Sequence, residues 1–159
     1  MNSLERFETI VRAAHELTDA VADDVEQIHP FDWRNIHPDL PSKVRRLYDD
    51  GYYAESAFEA FKYVEQEVKR AAGRRAGSGF GLMMDVFNET APTLQLNAGV
   101  SESEVDEQKG YRHMFAGAQS GIRNPRGHDT DVTDSPDLCL DHLAVASVLL
   151  RKLDDAGLR

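Results

Sequence analysis

Three things are scarce in this chain of 159 residues: long apolar runs, cysteine and positive charge. No run approaches the ~18 apolar residues that cross a bilayer, and Glu5, Arg6 and Glu8 stand where a signal peptide would become apolar. We therefore expect a soluble, cytoplasmic protein without a membrane partner. The one cysteine, Cys139, lies between two leucines in a helical pattern, which favours a buried structural thiol over a nucleophile or a metal ligand.

The net charge of −10 argues against a protein that coats nucleic acid by general attraction. Of five successive segments, only two contain more Lys and Arg than Asp and Glu. They are residues 36–76, with eight basic and seven acidic residues, and residues 111–129, with three and one. This distribution is compatible with a local anion site inside an acidic shell.

Residues 1–35 are predicted to form an N-terminal amphipathic helix, from Leu4 to Ile28, and a connector. Apolar residues recur there at steps of three and four, so the helix could pack on the rest of the chain, which we favour, or on a second copy. The connector continues to Pro38 as HPFDWRNIHP, with proline near both ends. We expect Trp33 to fill a gap between helices, and the two histidines to bind no metal.

Residues 36–159 are predicted to form the main domain. Helical spacing is clear in several stretches and no stretch alternates as a strand, so we expect an all-α bundle of four to five helices. Turn and cap residues set the expected bounds: Pro41 to Gly51, Tyr53 to Gly73, Leu82 to Glu89, Ser101 or Ser103 to Arg123 or Asn124, and Ser135 to Leu153. Gly110, Gly117 and Gly121 weaken the fourth of these helices, so we expect another helix or a subunit to approach there closely.

The stretch Tyr111–His128 reads YRHMFAGAQSGIRNPRGH and holds the candidate site. Because Pro125 disfavours a helical residue before it, the helix should end near Arg123 or Asn124. Arg123 and His128 would then flank a short turn and converge on one small anion. A guanidinium pairs with phosphate oxygens and an imidazole exchanges a proton near neutral pH, so phosphate chemistry is conceivable there.

Two segments carry a resemblance to a known family. The stretch IHPDLPSKVRRLYDDGYYAESAFEAFKYVEQEVKR (Ile36–Arg70) and the stretch Tyr111–His128 together resemble the Ymh-type family of prokaryotic proteins within the HEPN superfamily of helical ribonucleases and nucleotide-binding domains. The superfamily signature is an arginine, four residues and a histidine, with a polar residue after the arginine. The resemblance covers about Ile36 to Asp155.

This resemblance implies a metal-independent endoribonuclease with an HEPN-like fold, acting as a homodimer on RNA such as tRNA and leaving cyclic phosphate ends. It also implies a toxin or phage-defence role, with an antitoxin or a defence partner. No metal or cofactor is expected. The implied catalytic residues are Arg123, Asn124 and His128. The implied supporting or phosphate-binding residues are Arg126, Arg112, Glu59, Lys62 and Glu65.

Other interpretations of the same residues stay open. Arg123 could cap helix carbonyls or pair with a carboxylate such as Asp129, and His128 could be an ordinary turn histidine. The chain could also be a non-catalytic helical module for dimerisation or protein interaction, or a nucleotide sensor that binds phosphate through its arginines. Substitutions of Arg123 and His128 separate these classes.

Overall fold

The structure is a computed structural model that describes residues 4, 7–14, 28–129 and 131–159. No described residue lies in a strand. Residues 7–14 are helical, and seven further helices follow in the described chain. They are α1 (Pro30–Trp33), α2 (Ser42–Asp49), α3 (Tyr53–Ala71), α4 (Gly79–Val86), α5 (Glu102–Ala118), α6 (Asn124–His128) and α7 (Pro136–Asp155), and a π-helical turn, Gln119–Arg123, joins α5 to α6. The all-α prediction is confirmed, and the two shortest helices account for the larger count.

Helix α3 is the centre of the bundle. Its apolar residues recur at steps of three and four, and it packs against α2, α6, α7 and the π-turn, while α4 packs on α5. Gly73, at φ +63°, ends α3 in the left-handed conformation that suits glycine. The largest fully buried apolar side chains are Val44, Phe61, Val64, Val68, Met83, Phe87, Phe115, Leu143, Leu149, Leu150 and Leu153.

Helices α5 and α7 begin where their cap residues predict. Ser101 accepts a hydrogen bond from the Glu104 amide at 3.2 Å, and the Glu104 carboxylate accepts one from the Ser101 amide at 2.8 Å. Ser135 caps α7 through the Leu138 amide, ahead of Pro136. Of the two caps that the sequence allowed for α5, Ser101 is therefore the one used.

Cys139 is fully buried, as predicted. Burial raises the pKa of its thiol to about 11, since the thiolate would be poorly solvated there. At neutral pH the side chain therefore stays a protonated thiol in the core.

Trp33 does not fill a gap between helices, and that prediction is wrong. Its side chain is 77% exposed, whereas Phe31 is buried against Tyr48, with ring centroids 5.3 Å apart. The connector also contains a helical turn, α1, and residues two apart on a helix point to nearly opposite sides. Phe31 therefore faces the core and Trp33 faces solvent.

The connector histidines each bond through both ring nitrogens. Nδ1 of His29 accepts from the Phe31 amide at 3.1 Å, and Nε2 donates to Asp49 at 2.7 Å. His37 repeats the arrangement with the Asp39 amide at 3.1 Å and Asp154 at 2.8 Å. The amide contact places the proton on Nε2 in both rings. These histidines fix the entry of the chain into the bundle.

The N-terminal stripe is only partly within the described chain. Side chains at residues 7–14 are exposed, including Phe7 and Val11, so this part of the stripe does not pack on the core as we favoured. The remainder of the predicted helix, residues 15–27, lies outside the described residues. No helix in the described part of the chain is long and apolar enough to cross a membrane.

Candidate functional site

The helical path does not end before Pro125, so that prediction is wrong. The π-turn changes the ladder: the Asn124 amide donates to the Gln119 carbonyl, five residues back. A π-turn widens the helix, and Pro125 in the first turn of α6 has no amide hydrogen to satisfy. Arg123 and His128 thus lie on one continuous helical segment. No hydrogen bond or ring contact joins these two described residues.

Arg123 lies between a polar and an aromatic neighbour. Its Nη1 donates to Oδ1 of Asn124 at 3.0 Å, and its guanidinium carbon stands 5.2 Å from the centre of the Phe58 ring on α3. Its Nε is buried without a hydrogen-bond partner among the described residues. Arg123 and Asn124 are the two predicted catalytic residues that the structure brings into contact.

His128 ends α6 with an exposed side chain. Its imidazole makes no hydrogen bond or ion pair with any residue in the described ranges, so both ring nitrogens are available to solvent. The predicted pairing of Arg123 with Asp129 is likewise not observed there. Within the described residues, therefore, no backbone group holds His128 as a turn histidine.

Arg126 is committed to a buried ion pair. Its Nε and Nη2 each lie 2.7 Å from a carboxylate oxygen of Asp134, and its Nη1 donates to the Ile122 carbonyl at 2.8 Å. Only 8% of the Arg126 side chain and 2% of the Asp134 side chain are exposed. This bidentate pair fastens α6 to the loop before α7. In this position Arg126 faces Asp134 rather than solvent.

Arg112 is also committed within the protein. Its Nε donates to the Met84 carbonyl at 2.9 Å, and its Nη1 pairs with the Glu89 carboxylate. The pair connects α5 to the end of α4. Of the three arginines in Tyr111–His128, Arg123 is thus the one without a carboxylate partner among the described residues.

The supporting residues on α3 divide into two groups. Lys62 stands 6.0 Å from the Phe58 ring centre and 3.3 Å from Glu59, which also pairs with Lys43 on α2 at 2.9 Å. Burial acts to raise the pKa of Glu59, but its hydrogen bonds to the two lysines outweigh burial and lower the pKa. Lys62 and Arg123 both lie near the Phe58 ring.

Glu65 is engaged elsewhere on the same helix. Its carboxylate accepts from Lys69 at 2.7 Å and from the Gly79 amide at 2.8 Å, where α4 begins. Burial favours the neutral acid, but these two bonds together with nearby cations lower its pKa. Glu65 acts in the structure as an anchor for the start of α4.

Gly127 touches the same Phe58 ring, and we expect Gly127→Ala to destabilise the protein. A Cβ at this position would stand 2.6 Å from Cε2 of Phe58, so the half-buried ring would have to move. Overpacking of this kind typically costs about 1–3 kcal/mol. Urea unfolding of the variant measures the loss. Combining it with Phe58→Leu should recover part of the stability, whereas equal losses in the single and double variants would contradict the contact.

Phe58, Asp134 and His142 belong to this region and were not predicted. The Phe58 ring lies close to the Arg123 guanidinium, and Asp134 forms an ion pair with Arg126. Nδ1 of His142 lies 3.6 Å from Asp134. The helical spacing of Phe58 on α3 is that of an ordinary core residue, so the sequence does not single it out. The loop around Asp134 has only a turn-like composition, so its contacts were not visible. No group of three or more His, Cys, Asp or Glu within the described ranges is placed to hold a metal.

Fold and site together define a small all-α protein in which an arginine-asparagine pair lies where a π-turn meets a short helix, and that helix ends at a histidine whose imidazole makes no hydrogen bond to any described residue. The chain belongs to the Hypoth_ymh family, described as a protein of unknown function, whose model matches residues 34–153. The match includes Arg123, His128, Asp134 and His142. The Ymh-type resemblance is therefore confirmed, and its place in the HEPN superfamily stays a prediction. No curated protein and no solved structure matches the chain.

Proposed function

We propose that this protein is a metal-independent endoribonuclease of HEPN type that cleaves RNA by attack of a 2′-hydroxyl. One observation carries the proposal: Arg123 is the arginine of the segment left without a carboxylate partner in the described chain. It lies in the π-turn directly before α6, which ends at His128, and the His128 imidazole makes no hydrogen bond or ion pair with a described residue. Arg112 and Arg126 hold that segment in place. Arg123 and His128 are thus the available cation and imidazole, and they occupy the arginine and histidine positions of the HEPN superfamily signature.

The chemistry assigns a role to each side chain. Arg123 pairs with the phosphate oxygens as their charge redistributes, and His128 takes or gives a proton during cleavage. Asn124 holds Nη1 of Arg123 and so fixes the direction of the guanidinium fork. Lys62, 6.0 Å from the centre of the same Phe58 ring, is a second cation near that ring, although it is paired with Glu59.

The test compares purified wild type with His128→Gln on tRNA and total RNA in EDTA. Wild type should cut and leave 2′,3′-cyclic phosphate ends, which mass spectrometry of the fragments identifies. The variant should cut at least about 10²-fold more slowly, because general acid-base groups typically contribute a factor of that size or more to the rate. An exposed histidine of α5 outside the site, His113, provides the matched control, and His113→Gln should cut like wild type.

Circular dichroism must show that all three proteins fold. If well-folded wild type leaves both RNAs intact in EDTA, the ribonuclease proposal is lost. If His128→Gln and wild type cut equally, the activity comes from elsewhere. A toxin or defence role, with its antitoxin or defence partner, requires that wild type cuts RNA. The resemblance implies RNA such as tRNA, so tRNA is the substrate to test first.

A non-catalytic dimerisation module is the second candidate, and the exposed face of α5 favours it. A Cβ at Gly110, Gly117 or Gly121 would have no neighbour within 4 Å, so no described helix of the same chain explains these glycines. Met114, on the same face, is 45% exposed. A second copy is the partner that the HEPN interpretation implies. Wild type that sediments as a dimer and cuts nothing would favour this candidate.

A further inference from the structure

A buried carboxylate and a partly buried histidine face each other next to Arg126 of the candidate segment. Asp134 precedes α7 and His142 lies within it, and Nδ1 of His142 is 3.6 Å from Oδ2 of Asp134. Asp134 is 2% exposed and His142 is 15% exposed. Neither residue has a role in the function proposed above.

The two ring nitrogens of His142 have different surroundings. Nδ1 is buried and has no hydrogen-bond partner among the described residues, although the Asp134 carboxylate is the group it faces. No hydrogen bond joins Nε2 to a described residue, and 15% of the side chain is exposed. A proton on Nδ1 would point at the carboxylate, which leaves the lone pair of Nε2 directed outward.

The structural histidines of this protein are held differently. His29 and His37 each accept a backbone amide hydrogen with Nδ1 and donate to a carboxylate with Nε2. Both nitrogens are thereby satisfied. His142 has neither bond, so holding the fold does not account for its orientation towards Asp134.

Asp134 links His142 to the candidate segment. The same carboxylate accepts both bonds of the Arg126 fork at 2.7 Å, and Arg126 also donates to the carbonyl of Ile122 in the π-turn. A continuous chain of contacts thus leads from the π-turn, through Arg126 and Asp134, to His142. Movement of Asp134 relative to the segment would have to break a buried ion pair.

The charges around His142 keep its ring neutral at pH 7. Burial lowers its pKa first, and the Arg126 guanidinium lowers it further. Asp134 and Asp141 act in the opposite direction, and Asp141 is itself paired with Arg34 at 3.0 Å. A neutral imidazole with an outward lone pair is the form that a general base requires.

We infer that His142, oriented by Asp134, is a second proton-transfer residue of the proposed ribonuclease and takes the proton of the 2′-hydroxyl. This inference rests on the proposed function. As the proton moves to Nε2 of His142, the 2′-oxygen bonds to phosphorus and the bond from phosphorus to the 5′-oxygen breaks. Protonated His128 gives its proton to that leaving oxygen. The products are a cyclic phosphate end and a 5′-hydroxyl, so one histidine gains the proton that the other loses.

The first arm of the test is a pH profile of RNA cleavage for wild type and His142→Gln. The variant should lower kcat about 10²-fold or more with little change in KM. Because burial and the Arg126 charge lower the pKa of His142, the acidic loss of activity in wild type should lie below the usual pKa range of a histidine, and the variant should lack this acidic limb. His113→Gln is again the matched control, and thermal unfolding shows whether each variant folds. If His142→Gln does not fold, His142→Asn, which keeps a planar amide, enters the same assays.

The second arm uses RNA with sulfur in place of the 5′-oxygen at the mapped cut site. A thiolate leaves without a proton, so this substrate should restore His128→Gln towards the wild-type rate and leave His142→Gln slow. Restoration of both variants, or a His142 variant as fast as wild type on ordinary RNA, overturns the inference while the ribonuclease proposal stands. Wild type that cuts neither substrate overturns both.

Discussion

Arg123→Lys should lower cleavage of RNA by about 10²- to 10³-fold, a loss typical of removing one donor that stabilises transition-state charge. Lysine keeps the charge but lacks the planar fork, so it cannot bond Asn124 and a phosphate in one fixed geometry. It would also lose the flat contact with Phe58, 5.2 Å from the guanidinium. Steady-state kinetics on tRNA measure the effect, most of which should fall on kcat.

Arg74→Lys is the matched control for this substitution. Arg74 is an exposed arginine paired with Asp85 at 2.7 Å, and it lies at the opposite end of α3 from Phe58. Its replacement should leave cleavage unchanged. If Arg123→Lys cuts at the wild-type rate, or if only its KM rises, then Arg123 contributes only a general attraction for the backbone of RNA.

Local signals in the sequence were enough to predict most of the helices. Ser101 and Ser135 cap helices because a hydroxyl three residues before an amide can satisfy it, and Gly73 ends α3 because it adopts a positive φ. Cys139 was correctly predicted as buried from its place between two leucines. Each of these features depends on residues within one or two turns.

The same local argument failed at Pro125 and Trp33. Proline usually ends a helix, but here a π-turn lets the helical path continue past Pro125. No feature of the sequence predicts this change in the backbone hydrogen bonds. Trp33 was predicted to be buried by its type, although the one-turn helix α1 gave the inward position to Phe31. In both cases a local feature of the helical backbone decided the outcome.

The candidate site was only half visible for a related reason. Arg123 and Asn124 are adjacent, so their contact could be expected from the sequence. The partners of Arg126 and Arg112 are reached through a loop or a separate helix, and a sequence of charges does not say which carboxylate closes on which arginine. Long-range pairing therefore removed two of the three candidate arginines from solvent.

Asp134→Ala should destabilise the protein by about 3–5 kcal/mol, the usual cost of breaking a buried ion pair from one side. The substitution leaves the Arg126 charge buried with only the Ile122 carbonyl to accept from it. For a chain of this length, each kcal/mol shifts Tm by roughly 2–4 °C, so calorimetry or urea unfolding resolves the change easily. Asp141→Ala is the control: Asp141 is 63% exposed in its pair with Arg34, and exposed pairs are worth about 0–1 kcal/mol.

The double variant Arg126→Met with Asp134→Leu separates the buried charge from the lost attraction. Apolar side chains of similar length leave no charge unpaired, so the double variant should be clearly more stable than Asp134→Ala alone. Equal stability of Asp134→Ala and Asp141→Ala would mean that water reaches Arg126. A stable double variant that no longer cuts RNA, while Asp141→Ala still does, would show that the pair serves to position His142 and the Arg123–His128 segment.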